Sequence, residues 1–166
     1  MIEEAAAELF LEHGYGGTRV EEIARVAGIS RASFFNYFDA KSDVLWVGAD
    51  DALERLERAL DDGATLREAL IAVAASVDDT GEFPLALSQA ETMEAREDLL
   101  SSGAARLARL HGIVRRAVPG DIDAAVVTAA VAAGWSGWAR GRAGRQPLRE
   151  QLRAALDRVA TGVPVA

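Results

Sequence analysis

The stretch from Thr18 to Asp43 constrains this chain most, because it reads as two short helices joined by a tight turn. Thr18 and Glu21 have the spacing of a capping box, in which the hydroxyl accepts a free first-turn N–H and the carboxylate reaches back to the cap's own N–H. A helix is therefore expected to start at Thr18. Val20, Ile23, Ala24 and Ala27 follow at helical spacing, Gly28 ends the run, and Ser30 is a good cap for a second helix. Two helices about three residues apart make the helix-turn-helix pattern, whose second member enters the major groove of DNA.

The second of these helices carries a family resemblance. Ile29-Ser-Arg-Ala-Ser-Phe-Phe-Asn-Tyr-Phe38, followed by Lys41 and Val44-Leu45, resembles the recognition helix and the start of the fourth helix in TetR-type transcriptional regulators. Beyond Trp46 the likeness is one of architecture. Phe34-Phe35 ahead of Asn36-Tyr37-Phe38, with Trp46 a turn into the next helix, resembles more narrowly a branch that includes regulators of mycofactocin-type redox-peptide pathways. The resemblance implies an all-α fold, with a three-helix DNA-binding domain over 1–45 and a helical effector-binding and dimerisation domain over 46–166. It also implies a repressor, released from a palindromic operator by a small apolar or amphipathic effector, with the fourth helix as the lever between the two domains.

Global properties set bounds on that expectation. A chain of 166 residues, half of them hydrophobic, can bury one substantial core or a small domain plus a medium one. Apolar residues recur at three and four and alanine is abundant, so strands are not expected. There is no cysteine, hence no disulfide framework and no thiolate metal site. No run reaches the ~18 uninterrupted apolar residues of a membrane span, and Met1-Ile-Glu-Glu lacks the basic start of a secretion signal, so no membrane partner and a cytoplasmic location are expected. Charge pulls the other way, because the chain carries a formal −8, the wrong sign for a partner of phosphates. Residues 1–45 hold four basic residues against eight acidic ones. The family carries a basic arm before its first helix, and this sequence opens inside that helix.

Each residue of the recognition segment has a bland reading beside the functional one. Phe34 and Phe38, four apart, are expected in the core of the three-helix unit. Arg31 can give guanine two parallel hydrogen bonds or merely touch phosphate, and Asn36 presents the donor and acceptor that suit adenine. Ser33 can serve a phosphate or a base edge. Tyr37 and Lys41 are expected as phosphate anchors, which set register without carrying sequence information. Phe35 stands where the family more often has tyrosine, leaving apolar contact alone, and Thr18 completes the expected DNA-facing set. Ala40 stands where a capping serine or asparagine is common, so Asp39 or Ser42 is expected to cap instead.

The remainder reads as helices over roughly Ile2–His13, Lys41–Leu60, Leu66–Val77, Pro84–Met93, Arg96–Val118, Asp121–Arg140 and a final one after Pro147, with Tyr15-Gly16-Gly17 as a flexible turn. Thr65 and Glu68 form a second capping box. The small side chains of 124–134, and Leu148, Leu152, Leu156 and Val159, suit a four-helix bundle across a two-fold axis; the alternative is a hairpin internal to one subunit. Gly141–Gln146 reads as a basic, solvated loop. Trp46, Phe83, Leu87, Met93, Leu107, Trp135 and Trp138 are candidates to line an effector pocket, with Gln89 and His111 as polar anchors. The narrower resemblance implies acyl thioesters of coenzyme A, whose phosphates would want Arg106, Arg109, Arg115 or Arg116. An enzyme is not expected, since no nucleophile has an evident base and no glycine-rich phosphate loop, metal set or cofactor motif is present. The rival expectation is a sensor of the same fold with weak or no DNA binding, motivated by the acidic head and Phe35.

Overall fold

A break at Gly14 organises the first part of the chain. The computed structural model describes residues 1–80, 96–140 and 146–160, and their contacts divide them into two units. The first holds 1–47 and 96–104; the second holds 48–80, 105–140 and 146–160. In the first unit, α1 (Ile2–Gly17) is interrupted where Gly14 takes φ 73° and ψ 160°, a backbone state that suits a residue without Cβ. One more turn follows the break. It carries Tyr15 inward, against Phe10 at a ring-centroid distance of 5.1 Å, so what reads as a flexible glycine turn is part of the core.

The start of α2 (Val20–Val26) also differs from expectation. Thr18 is only 1% exposed, and its hydroxyl donates to the carbonyls of Leu9 and Gly14 at 3.1 and 2.9 Å, closing the break in α1. Its hydroxyl is turned toward α1 rather than the first turn of α2. The cap is Arg19, whose backbone N–H donates to Glu22 Oε2 at 2.8 Å, so Glu22 takes the role the spacing gave to Glu21. Gly28, at φ 71°, ends α2, and Ser30 caps α3 (Arg31–Phe35) by accepting from the Ser33 backbone N–H at 3.0 Å. Phe10, Ile23, Phe34 and Leu45 are fully buried, each aromatic worth about 3–5 kcal/mol against alanine.

A 3-10 helix, Lys41–Trp46, leads on, and its cap is neither Asp39 nor Ser42. Asp43 accepts from the Ala40 backbone N–H at 2.8 Å, which supplies the carboxylate half of a box without any side chain at the cap itself. Trp46 Nε1–H donates to Ser102 Oγ at 2.9 Å, and its ring lies so close over Gly103 that a Cβ there would fall 3.0 Å from Cζ2.

The second unit is built from α4 (Val47–Asp61), α5 (Leu66–Thr80), most of α6 (Arg96–Ala117), α7 (Asp121–Arg140) and α8 (Leu148–Ala160). Its core joins Leu53 and Leu56 to Leu70, Val73 and Val77, to Ile113, Val131 and Trp138, and to Leu148, Leu152 and Leu156. Thr65 and Glu68 form the expected box, and the Thr65 hydroxyl, followed by its backbone N–H, holds the Glu68 carboxyl below the usual glutamate range. Ion pairs tie α4 to α6: Arg106 spans both oxygens of Asp50, and Arg109 and Arg116 meet Glu57. The expected helix over 84–93 lies outside the described residues, as do 141–145 of the basic loop.

α7 and α8 form an internal hairpin. A Cβ on Gly134 would stand 2.8 Å from Leu152 Cδ2, so the small side chain is what lets the helices approach. Leu148, Leu152 and Leu156 are buried in the subunit's own core. The outward side of α7 is different: Ile122 is 79% exposed, and Val126, Ala129 and Ala133 are exposed with it. By length and composition Asp121–Ala139 is apolar enough to cross a membrane, yet only 28% of it is buried, which leaves much of that apolar surface uncovered.

α8 is started from outside. Asp78 of α5, itself nearly buried, accepts from the backbone N–H groups of Leu148 and Arg149 at 2.7 and 3.2 Å, while the Arg149 guanidinium approaches to 3.5 Å. It is a helix cap supplied by another helix. Asp78→Ala is expected to lower unfolding free energy by about 1–2 kcal/mol in urea melts; a change below about 0.5 kcal/mol would show that the cap carries no weight.

Candidate functional site

The recognition segment presents its polar groups on a short, firmly seated support. α3 has five residues, and the chain continues its turn through backbone bonds from Tyr37 and Phe38 to the Phe34 carbonyl at 3.0 and 3.1 Å. Phe34 is buried, Phe38 is partly buried with its ring 5.3 Å from that of Phe34, and Phe35 stands edge-on to Phe34 at 5.4 Å while remaining exposed. Arg31 lies over the Phe35 ring, with its guanidinium carbon 4.9 Å from the centroid, and its Nε is 2.7 Å from Glu21 Oε1. Asn36 is exposed just past the last helical residue, and Tyr37 is 72% exposed. Ser33 is only partly exposed, its hydroxyl 2.9 Å from that of Ser30.

Two members of the expected DNA-facing set point elsewhere. Thr18 is buried as described above, so its hydroxyl reaches no groove. Lys41 donates from Nζ to the carbonyls of Tyr15 and Thr18 at 2.6 and 2.9 Å and sits 3.9 Å from the centroid of the Tyr15 ring. An ammonium so engaged is a structural pin rather than a phosphate anchor. Glu21 was missing from the expected set altogether: it is ten residues from Arg31, and no helical spacing links them.

The described members of the expected effector set fall in both units. Phe83, Leu87, Gln89 and Met93 lie outside the described residues. Trp46 belongs to the first unit, tied to Ser102; Leu107, His111, Trp135 and Trp138 belong to the second. Leu107 is exposed to solvent, and Trp138 is buried among core leucines and valines, so one lies outside the core and the other within it. Trp135 is partly buried against that core. His111 Nδ1 is 3.2 Å from Thr128 Oγ1, whose own hydroxyl donates to the Ala124 carbonyl at 2.7 Å. With that hydroxyl proton engaged, a hydrogen bond between the two is one in which Nδ1–H donates. The arginines named for coenzyme A phosphates each meet a carboxylate: Arg106 with Asp50, Arg109 and Arg116 with Glu57, and Arg115 with Asp121 at 2.8 Å.

Comparison with known proteins bears on both units. Residues 2–45 match the family model of bacterial regulatory proteins, tetR family. The chain is 38% identical over 60 residues to a Mycobacterium tuberculosis (strain ATCC 25618 / H37Rv) protein named as a mycofactocin biosynthesis transcriptional regulator, MftR. That match takes in 36% of this chain and spans 30% of the relative's length. Among solved structures, FadR of Thermus thermophilus, a TetR family transcriptional repressor in complex with lauroyl-CoA, is 25% identical with a TM-score of 0.51, over 99% of this chain and 94% of that one. FadR of Bacillus subtilis, in complex with stearoyl-CoA, shares the fold at 21% identity and a TM-score of 0.57, over 98% and 97% of the two chains.

The Lys41 pin yields a distinction that a phosphate anchor would not. Lys41→Met is expected to lower unfolding free energy by about 1.5–3 kcal/mol, the range for hydrogen bonds to a charged group, and to leave the salt dependence of DNA binding unchanged at temperatures where the variant is folded. A stable variant whose log–log salt slope falls by about one would return Lys41 to the phosphates.

Proposed function

We propose that the chain, whose residues 2–45 match the tetR family of bacterial regulatory proteins, is a TetR-type DNA-binding transcriptional repressor acting as a homodimer and released by a small apolar or amphipathic effector. The observation that carries this reading is the exposure of Arg31, Asn36 and Tyr37 on a segment whose aromatic underside, Phe34, is fully buried. Rigid support with protruding donors is what base reading needs: Arg31 for guanine, Asn36 for adenine, Tyr37 for phosphate. Ser33 and Phe35 are secondary contacts, the first to a phosphate or base edge and the second to a thymine methyl.

A palindromic operator needs two heads one DNA turn, ~34–36 Å, apart. The outward side of α7, Ile122, Val126, Ala129 and Ala133, is the surface on which a second copy docks, since the leucines of α8 are already used within the subunit. Effector chemistry follows the lauroyl-CoA of the Thermus relative. The carboxylate partners of Arg106, Arg109, Arg115 and Arg116 favour recognition through the acyl chain over recognition through phosphates. A second reading, a sensor of this fold that binds DNA weakly, is favoured by one set of observations: Thr18 and Lys41 are turned inward and Arg31 is paired with Glu21.

Fluorescence anisotropy with duplexes selected from a random pool separates the two readings. The repressor reading expects enrichment of a palindrome, a loss of about 1–3 kcal/mol for Arg31→Ala or Asn36→Ala with relaxed preference at one base position, and release by lauroyl-CoA but not by coenzyme A alone. Failure to enrich any sequence at low salt would leave the sensor reading. For the interface, Ile122→Glu with Val126→Glu is expected to convert a dimer to a monomer in sedimentation equilibrium without loss of helical circular dichroism; a wild-type chain that is strictly monomeric would overturn the homodimer.

A further inference from the structure

Arg31 is the one arginine between Ser30 and Phe38, and its surroundings govern when it is available. It is held from two sides within its own unit, by Glu21 at 2.7 Å and by the face of Phe35 at 4.9 Å. Both holders are themselves fixed. Phe35 is edge-on to the fully buried Phe34, and Glu21 sits in the first turn of α2, whose start is set by the bond from Arg19 N–H to Glu22. We infer that Glu21 is a specificity-determining residue for the DNA binding proposed above: by meeting Arg31 at Nε it neutralises the guanidinium toward phosphates while leaving the Nη donors to a neutral guanine edge. The inference rests on the reading that the α3 segment enters the major groove.

Phosphate and guanine differ in charge, and that difference is what Glu21 acts on. Any guanidinium left free near a duplex adds to sequence-independent binding, because phosphates are everywhere along it. An arginine that already faces a carboxylate gains little by swapping that anion for a phosphate. Guanine is a different partner: O6 and N7 accept two parallel hydrogen bonds in the plane that the guanidinium defines, and the wrong base loses roughly tenfold to a hundredfold. Because Glu21 meets Nε, the two Nη groups can reach guanine with the pair closed, and Phe35 keeps their plane oriented. Glu21 itself, more than half exposed, also repels phosphates on any approach that leaves the pair closed. A head with four basic residues against eight acidic ones is thereby poor at binding DNA in general while keeping one strong base contact in reserve.

The test compares Glu21→Gln with Glu12→Gln, an exposed acidic residue on α1 that removes the same charge without touching Arg31. Each is measured in the full chain with and without Arg31→Ala, on the selected operator and on a random-sequence duplex of equal length, across a salt series. The expected result is that Glu21→Gln tightens random-duplex binding about threefold to fivefold beyond Glu12→Gln and steepens its log–log salt slope by about 0.9, with operator binding changed less than about twofold. With Arg31→Ala the two glutamine variants should become indistinguishable. Equal effects of both variants while Arg31 is present would reduce Glu21 to bulk charge, and equal tightening on operator and random duplex would reduce it to a competitor without selectivity; either overturns the inference with DNA reading intact. If selection enriches no duplex, the DNA-reading assignment falls and the inference with it.

Discussion

The carbonyl groups gathered around the break in α1 are the constraint from which the DNA-binding unit follows. A helix C-terminus leaves carbonyl oxygens without partners and a partial negative charge. Here the break at Gly14 leaves such groups close together, and two side chains from later in the chain answer them. Thr18 donates to Leu9 and Gly14, and Lys41 donates to Tyr15 and Thr18 while stacking its ammonium on the Tyr15 ring. Lys41 opens the 3-10 helix, so the same ammonium holds the segment after the recognition helix to the junction before α2. The spacing between α2, α3 and the chain that follows is thereby tied to one cation.

Periodicity and capping made most of the helices legible from residue order alone. Ser30 caps α3, Thr65 and Glu68 open α5, Gly28, Gly63 and Gly120 close elements with positive φ, and Phe34 is in the core. These are local signals, decided within about four residues. What escaped was decided over longer distances. Thr18 has a cap's spacing to Glu21, but its hydroxyl is taken by α1, so tertiary bonding overrode the local pattern and shifted the cap to Arg19 and Glu22. Lys41 is in register for phosphate contact, yet its target is 26 residues upstream at Tyr15. Pairings of that kind leave no periodic trace.

The second unit shows the same division of labour at its own scale. The leucines of α8 announce an apolar face, and residue order is silent on whether that face meets its own subunit or another. Gly134 against Leu152 and the Asp78 cap fasten α8 within the subunit. The apolar surface that remains uncovered is then on α7, a helix whose composition is near that of a membrane span but whose start carries Asp121 and Asp123. A face of Ile122, Val126, Ala129 and Ala133 is narrow and shallow, and such faces suit close helix–helix approach more than insertion into lipid.

Acidity need not oppose DNA binding when the few cations are placed rather than numerous. Affinity for DNA in general grows with the count of neutralised phosphates, whereas discrimination depends on groups that meet base edges in a fixed plane. This head has Lys41 turned inward, Arg31 held by Glu21 and Phe35, and a surplus of carboxylates, all of which depress the first quantity. On the proposed reading the second is left to Arg31 and Asn36, exposed beside the buried Phe34. On the repressor reading proposed above, a head with so few outward cations relies on a second copy to hold an operator, so that dimerisation and base reading become a single requirement, and a change that separates the subunits lowers DNA occupancy even where the recognition segment is untouched.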